Sequence, residues 1–205
     1  QQAALRAMDD PAFYAVTLKN LVTPWTNRDQ TVFAPLNDYT ATVIGMVRDD
    51  VPFNELLSGD ILYVGNAGLG LPAVSASSNT HYEQLESRGI DLRTGLQRTT
   101  QSSAYGIPAG ATAGVITSRA AAQSFFIAGT NRAMFRFTML NHMCRNLEEV
   151  HDTTRPPDRI RQDVSRSPGG DARLFLNNGV GCHSGMDPMA QAFAYYTYDE
   201  TQGRL

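Results

Sequence analysis

The chain has 205 residues, a formal net charge of −3, sixteen arginines against one lysine, four histidines and two cysteines. With 42% hydrophobic and 18% charged residues, it is neither a disordered acidic tail nor a general nucleic-acid binder, which would need a basic surplus. It is long enough to bury a sizeable core. Because no apolar run approaches the roughly 18 residues of a membrane helix, we expect no membrane span.

Short helices are the main prediction for the first half of the chain. The spacing of apolar residues, with proline and asparagine near the ends, predicts helices over residues 11–24, 38–49, 53–57 and 79–88. Asn37 or Asp38 would cap the second of these. An extended stretch at 61–64 leads into a glycine-rich segment at 65–72. A phosphate-binding loop would need a lysine or a helix directly after it, and Pro72 follows instead, which favours a surface loop.

The second half of the chain carries the stronger helical pattern. Residues 99–117 are rich in Ser, Thr, Gly and Ala, and predict an irregular connection between an N-terminal helical region, 1–98, and a helical region, 118–205, unless both form one compact unit. Small residues predict a helix over 120–128, and apolar spacings of three and four predict another over 130–150. The predicted fold class is therefore mainly α, an irregular multi-helix domain with long loops.

Five of the sixteen arginines fall between residues 155 and 173. A basic run among acidic residues is most often a solvated face of the protein. The alternative is that these guanidinium groups pair with buried or ligand carboxylates, whose geometry the arginine fork matches.

Cys182 and His183 are adjacent, and we expect them at the C-terminal end of a short helix. The pair is the second half of the C-x-x-C-H motif, in which two thiols bind the porphyrin edge and the histidine binds the iron. The first cysteine would stand at position 179, where this chain has Gly179. One thioether is sufficient to tether a haem. The pattern therefore predicts one haem c on Cys182, with His183 as proximal iron ligand.

The segment around this pair resembles the cytochrome c-like region of large secreted or periplasmic bacterial proteins, including planctomycete-type cytochromes. The likeness is carried by C-H-S-G-M-D-P at 182–188, by the aromatic residues that follow it, and more loosely by P-F-N-E-L-L-S-G-D at 52–60. Gly179 departs from the pattern of the family. The resemblance implies a mainly helical haem protein, periplasmic or extracellular, that transfers electrons to a redox partner protein or to other haem subunits of a larger assembly.

The sixth coordination position of such a haem needs a second donor or stays open. His81 lies in a polar segment where a histidine has no evident packing role, and we predict it as the distal ligand, with His142 as the alternative. Met186 and Met189 are only three and six residues from His183, too close to reach the opposite face of the porphyrin. We expect them to pack at the haem edge or in the core.

Two other functions stay open at this stage. One is a haem enzyme with an open sixth site and a polar distal donor. The other is a secreted interaction module without haem, held by a Cys144–Cys182 disulfide. Without that bridge, Cys144 is expected to be a buried thiol of the helix at 130–150. The spacing of cysteines and histidines does not favour zinc, and the chain lacks the G-x-S-x-G motif of many hydrolases.

Overall fold

A computed structural model describes residues 2–205, apart from the side chain of Ala4. Helices account for 57% of the chain and strands for 5%, which confirms the prediction of a mainly α fold. The α-helices are α1 (Gln2–Ala7), α2 (Lys19–Val22), α3 (Asp38–Arg48), α4 (Thr80–Ser87), α5 (Leu92–Gly95), α6 (Gln101–Tyr105), α7 (Arg119–Phe125), α8 (Arg132–Met143), α9 (Ala172–Leu174) and α10 (Val180–Ala190). Each helix within residues 2–205 is too short or too polar to cross a lipid bilayer.

Tighter and wider helical turns connect these helices. The π-helical segments are Phe13–Leu18 and Phe175–Gly179. The 3₁₀ turns are Thr23–Thr26, Phe53–Leu57, Ala67–Leu69, Ala109–Ala111, Leu147–Val150, Pro157–Arg159, Pro168–Gly170 and Gln191–Phe193. The helical run predicted to end at Pro24 therefore continues through Thr26, because proline is compatible with the first turn of a helix and starts a new 3₁₀ turn here.

The chain divides into two compact units. The first runs to Ser124 and includes Tyr198–Leu205, and the second is Phe125–Thr197. The connection expected at 99–117 contains α6 and a 3₁₀ turn, so it is more regular than its composition indicates. The division into regions 1–98, 99–117 and 118–205 stays a prediction.

Helix α3 lies at the centre of the first unit. The side chain of Asn37 accepts a hydrogen bond from the Thr40 amide, which confirms Asn37 as the N-cap. Strand β1 (Leu62–Gly65) lies against α3 and pairs with β2 (Leu96–Thr99) as an antiparallel ribbon. At Gly45 a Cβ atom would come within 2.1 Å of the Tyr63 ring, so glycine is required where α3 meets β1.

A buried carboxylate joins three elements of the first unit. Asp38 is fully buried, and it accepts hydrogen bonds from the Tyr105 hydroxyl at 2.9 Å and from the amides of Arg119 and Ala120 at 2.5 and 3.0 Å. Those two amides begin α7 and would otherwise lack partners. Asp38 therefore caps α7, although it is not the cap of its own helix.

In the second unit, α8 packs against α10. Helix α8 ends at Met143, so the prediction of one helix over 130–150 was wrong in its length. The chain turns at Cys144, whose φ is 51°, and Asn146 then accepts a hydrogen bond from the Leu147 amide to begin a separate 3₁₀ turn. Asparagine competes with helical hydrogen bonding in this way. Cys144 is exposed, so the expectation of a buried helix thiol was also wrong.

Candidate functional site

Cys182 and His183 lie in the first turn of α10. The expectation that they end a short helix was wrong. The helical path runs without a break from α9 through the π-helical segment into α10, because Gly179 keeps a right-handed helical backbone with φ −59°. Such π-helical turns often occur at functional sites.

The His183 side chain is held by a buried carboxylate. Its Nδ1 lies 3.0 Å from Oδ1 of Asp187, four residues later on the same helix face, and Asp187 is fully buried. Asp187 also accepts from Arg132 Nε at 2.8 Å and from the Arg161 amide at 2.9 Å. Burial opposes the charge of this carboxylate, but the hydrogen bonds from Arg132, His183 and Arg161 outweigh it and hold the pKa of Asp187 below its usual value.

Arg132 is fixed in turn by a second carboxylate. Its two terminal nitrogens donate to the oxygens of Asp163 at 3.0 and 2.8 Å, in the parallel geometry that suits arginine. The hydrogen bonds that Arg132 donates to Asp163 and Asp187 outweigh the effect of burial and raise the pKa of Arg132 above its usual value. We call His183, Asp187, Arg132 and Asp163 the imidazole network.

The network determines which nitrogen of His183 is available. Because the Asp187 carboxylate accepts at Nδ1, that nitrogen carries a proton, so the lone pair of the neutral tautomer lies on Nε2. Within the described residues no hydrogen bond reaches Nε2, and 23% of the side chain is exposed. A carboxylate behind one ring nitrogen and an open second nitrogen is the arrangement of metal-ligating histidines.

The neighbouring Cys182 is a free thiol. Burial and the charge of Glu148 raise its pKa, so the sulfur is protonated at neutral pH. Cys144 is also a free thiol, and the structure therefore contains no Cys144–Cys182 bridge.

The turn that carries this pair depends on two glycines. A Cβ at Gly181 would meet the His151 ring at 2.4 Å, and His151 Nε2 donates to the Asn178 carbonyl at 3.2 Å. Gly181 is therefore needed for His151 to lie against α10. A Cβ at Gly179 would come to 3.1 Å from the Phe175 ring, so that ring would have to shift for a cysteine to stand there.

The other residues predicted for the site have different surroundings. His81 belongs to the first unit and is buried, with Nε2 accepting from the Gly65 amide at 2.9 Å and Nδ1 donating to the Pro72 carbonyl at 2.7 Å. Neither of its nitrogens is open to a metal. His142, in the second unit, is partly buried, and burial lowers its pKa to about 4. Met186 is buried in α10.

No protein-family model, curated protein or solved structure matches this chain. Within residues 2–205, no three side chains of His, Cys, Asp or Glu are grouped as a metal site would require. Two clefts of the second unit, of about 390 and 340 Å³, are lined by neither Cys182 nor His183.

The chemistry of the donors is compatible with a single haem c. Cys182 has the free thiol that a thioether would need, and Nε2 of His183 has no hydrogen-bond partner among the described residues. Sequence reasoning identified these two residues but missed the imidazole network. The spacing of His183 and Asp187 by four residues was a usable signal for it, whereas the contribution of Arg132, 55 residues before Asp187, had none.

Proposed function

We propose that the second unit binds one haem covalently and transfers electrons. Cys182 is the tether and His183 the proximal iron ligand. The observation that supports this most is the hydrogen bond from His183 Nδ1 to buried Asp187, which leaves Nε2 open beside a free thiol. Bound haem supplies one-electron chemistry at the iron.

The attachment chemistry uses only the thiol and a vinyl group. Sγ of Cys182 would add to one vinyl carbon of the haem to form a thioether, and the thiol proton would pass to the other vinyl carbon, so no oxidant or reductant would be consumed. Because position 179 holds glycine and not a second cysteine, the chain would supply no thiol for the other vinyl group. The tether prevents dissociation, while Asp187 and Arg132 keep the imidazole of His183 in one orientation and tautomer.

Of the two histidines predicted for the sixth position, His142 is the one that belongs to the second unit. Burial lowers the pKa of His142 to about 4, so its imidazole is neutral at pH 7, as a metal ligand must be. We do not retain His81, because iron binding would break a hydrogen bond to Gly65 or Pro72 in the core of the first unit.

The resemblance to secreted and periplasmic cytochromes supplies the expected location and partners. The protein would work in the periplasm or outside the cell and exchange electrons with a redox protein or with other haem subunits. Since the chain has a single lysine, a positively charged docking surface on it would consist of arginines.

Expression together with a haem-attachment system tests the proposal. We expect the intact mass to increase by one haem, and a reduced pyridine spectrum between those of haem with no saturated vinyl and with two. Cys182→Ser should lose the covalent haem, and Cys144→Ser, at the exposed cysteine, should keep it. A chain with the mass of the apoprotein and no haem absorbance would refute the proposal.

A further inference from the structure

A polar cleft of about 460 Å³ lies in the first unit, beside α4 and the start of α7. Its volume is within the range of about 300–1,000 Å³ that small-molecule sites occupy. Hydroxyl and amide side chains make up much of its lining, together with Arg119 and Glu83. None of these residues takes part in the proposed haem site.

Arg119 is a buried cation that has no carboxylate partner among residues 2–205. The residue is 8% exposed, and its guanidinium donates to Oε1 of Gln123 at 2.8 Å and to Oδ1 of Asn79 at 3.0 Å, both neutral amides. Its Nε is buried and has no hydrogen-bond partner in the described structure. Asp38 accepts from the backbone amide of Arg119 but forms no ion pair with its side chain.

A buried arginine of this kind is unusual, because the loss of hydration is normally offset by a carboxylate or phosphate. Its planar guanidinium matches a carboxylate with two parallel hydrogen bonds. Two amide acceptors leave three of the five N–H groups of Arg119 without an acceptor in residues 2–205. The missing acceptor therefore has the chemistry of an anion in the cleft.

Glu83 narrows the class of anion. It is exposed at the same cleft, where its Oε1 accepts from Nδ2 of Asn79 at 3.2 Å, and Oε2 has no partner among the described residues. A fully charged phosphate would be repelled by this carboxylate. A ligand with a carboxylate for Arg119 and a hydrogen-bond donor for Glu83 satisfies both side chains.

We propose that this cleft binds a small organic carboxylate that also carries a hydroxyl or ammonium group. The carboxylate lies at Arg119 and the Nε2 of Gln123, and the donor group faces Glu83. Hydroxy acids and amino acids share this chemistry. Binding to the folded state alone would raise the unfolding temperature as the ligand concentration rises.

Thermal unfolding and titration calorimetry of the full chain test the proposal, with lactate, L-alanine, acetate, inorganic phosphate and glucose as probes. We expect lactate or L-alanine to raise the unfolding temperature and to give a saturable heat, acetate to do so more weakly, and phosphate and glucose to have no effect. No shift with any carboxylate, or an equal shift with phosphate, would overturn the proposal.

Two variants locate the binding. Arg119→Gln should abolish the shift, and Arg88→Gln, at an exposed arginine of the same unit, should preserve it. If Arg119→Gln does not fold, Glu83→Gln at the rim of the cleft provides the test. In that variant we expect lactate and L-alanine to raise the unfolding temperature no more than acetate does. An unchanged advantage in Glu83→Gln, or a shift that persists in folded Arg119→Gln, would overturn the proposal.

Discussion

The two units differ in the hydrogen bonding of a histidine. In the first unit, both nitrogens of His81 are bound to the backbone, at the Gly65 amide and the Pro72 carbonyl. In the second unit, His183 has one nitrogen on the buried carboxylate of Asp187 and the other open. The first arrangement uses the whole imidazole within the core, and the second leaves one imidazole nitrogen accessible.

The difference lies in the acceptor at Nδ1. A backbone carbonyl and a backbone amide occupy both ring nitrogens of His81 within the core, so any ligand would have to replace one of these hydrogen bonds. A carboxylate at Nδ1 increases the basicity of the opposite nitrogen of His183 and leaves it accessible. Residues close in sequence indicate only the second case, because Asp187 lies four residues from His183 whereas the partners of His81 are 9 and 16 residues away.

The largest expected effect is the loss of the buried carboxylate in the imidazole network. Asp187→Ala removes the buried partner of the partly buried Arg132 and leaves it only the more exposed partner, Asp163. We expect the free energy of unfolding to fall by about 3–5 kcal/mol. Urea denaturation measures this. Asp163→Ala, which removes the more exposed partner, should cost about 1 kcal/mol or less. Equal losses in the two variants would contradict a network centred on Asp187.

The histidines themselves give the direct test of the comparison. His81→Ala leaves a buried amide and a carbonyl without partners and opens a cavity, so the free energy of unfolding should fall by about 3 kcal/mol. His183→Ala in the haem-free protein removes one hydrogen bond from a partly exposed side chain and should cost about 1 kcal/mol. If His183→Ala were the more damaging variant, the interpretation of His81 as the structural histidine would be wrong.

Acidification should reveal the burial of His142. Its pKa is lowered to about 4 in the folded chain, against 6.5 when exposed, so the unfolded chain binds the extra proton first. The stability contributed by neutral His142 is therefore present above pH 6.5 and lost as the pH falls towards 4. The loss is of the order of 3 kcal/mol. Between pH 7 and pH 4, the unfolding temperature of His142→Gln should fall less than that of the unchanged chain. An equal fall in both would refute this.

The smallest expected changes in stability come from substitutions at two glycines of α10. Gly181→Ala would force a methyl group into the His151 ring, and we expect a loss of about 1–3 kcal/mol in the free energy of unfolding. Gly185→Ala has open space around its new Cβ, and should gain about 0.5–1 kcal/mol from helix propensity. Chemical denaturation of both variants checks the signs, and a stabilising Gly181→Ala would contradict the close packing of His151.

Local signals predicted much of the fold. The helical class, the cap at Asn37 and the extended segment at 61–64 follow from residues close together in sequence. Strand β2 was missed because only one of its four residues is buried, which gives no alternating pattern. The helix at 130–150 was predicted too long because the apolar spacing continues past Cys144, where the backbone turns.

The candidate site also contains residues that local sequence predicts and residues that it does not. Cys182 and His183 are recognisable as a pair, and Asp187 follows His183 at a spacing that a helix brings together. The pairing of Arg132 with Asp187 depends on how α8 packs against α10, which no local pattern encodes. The polar cleft at Arg119 likewise became visible only when residues distant in sequence, such as Asn79, were placed beside it.

The carboxylate of Asp38 has a consequence for the order of folding. Its hydrogen-bond partners Tyr105, Arg119 and Ala120 follow Asp38 at sequence separations of 67, 81 and 82 residues. Closing loops of that length costs entropy before any of these hydrogen bonds forms. We therefore expect the amides that begin α7 to gain protection from hydrogen exchange late in refolding, after α3 has formed. The start of α7 would thus become fixed later than the helix whose carboxylate caps it.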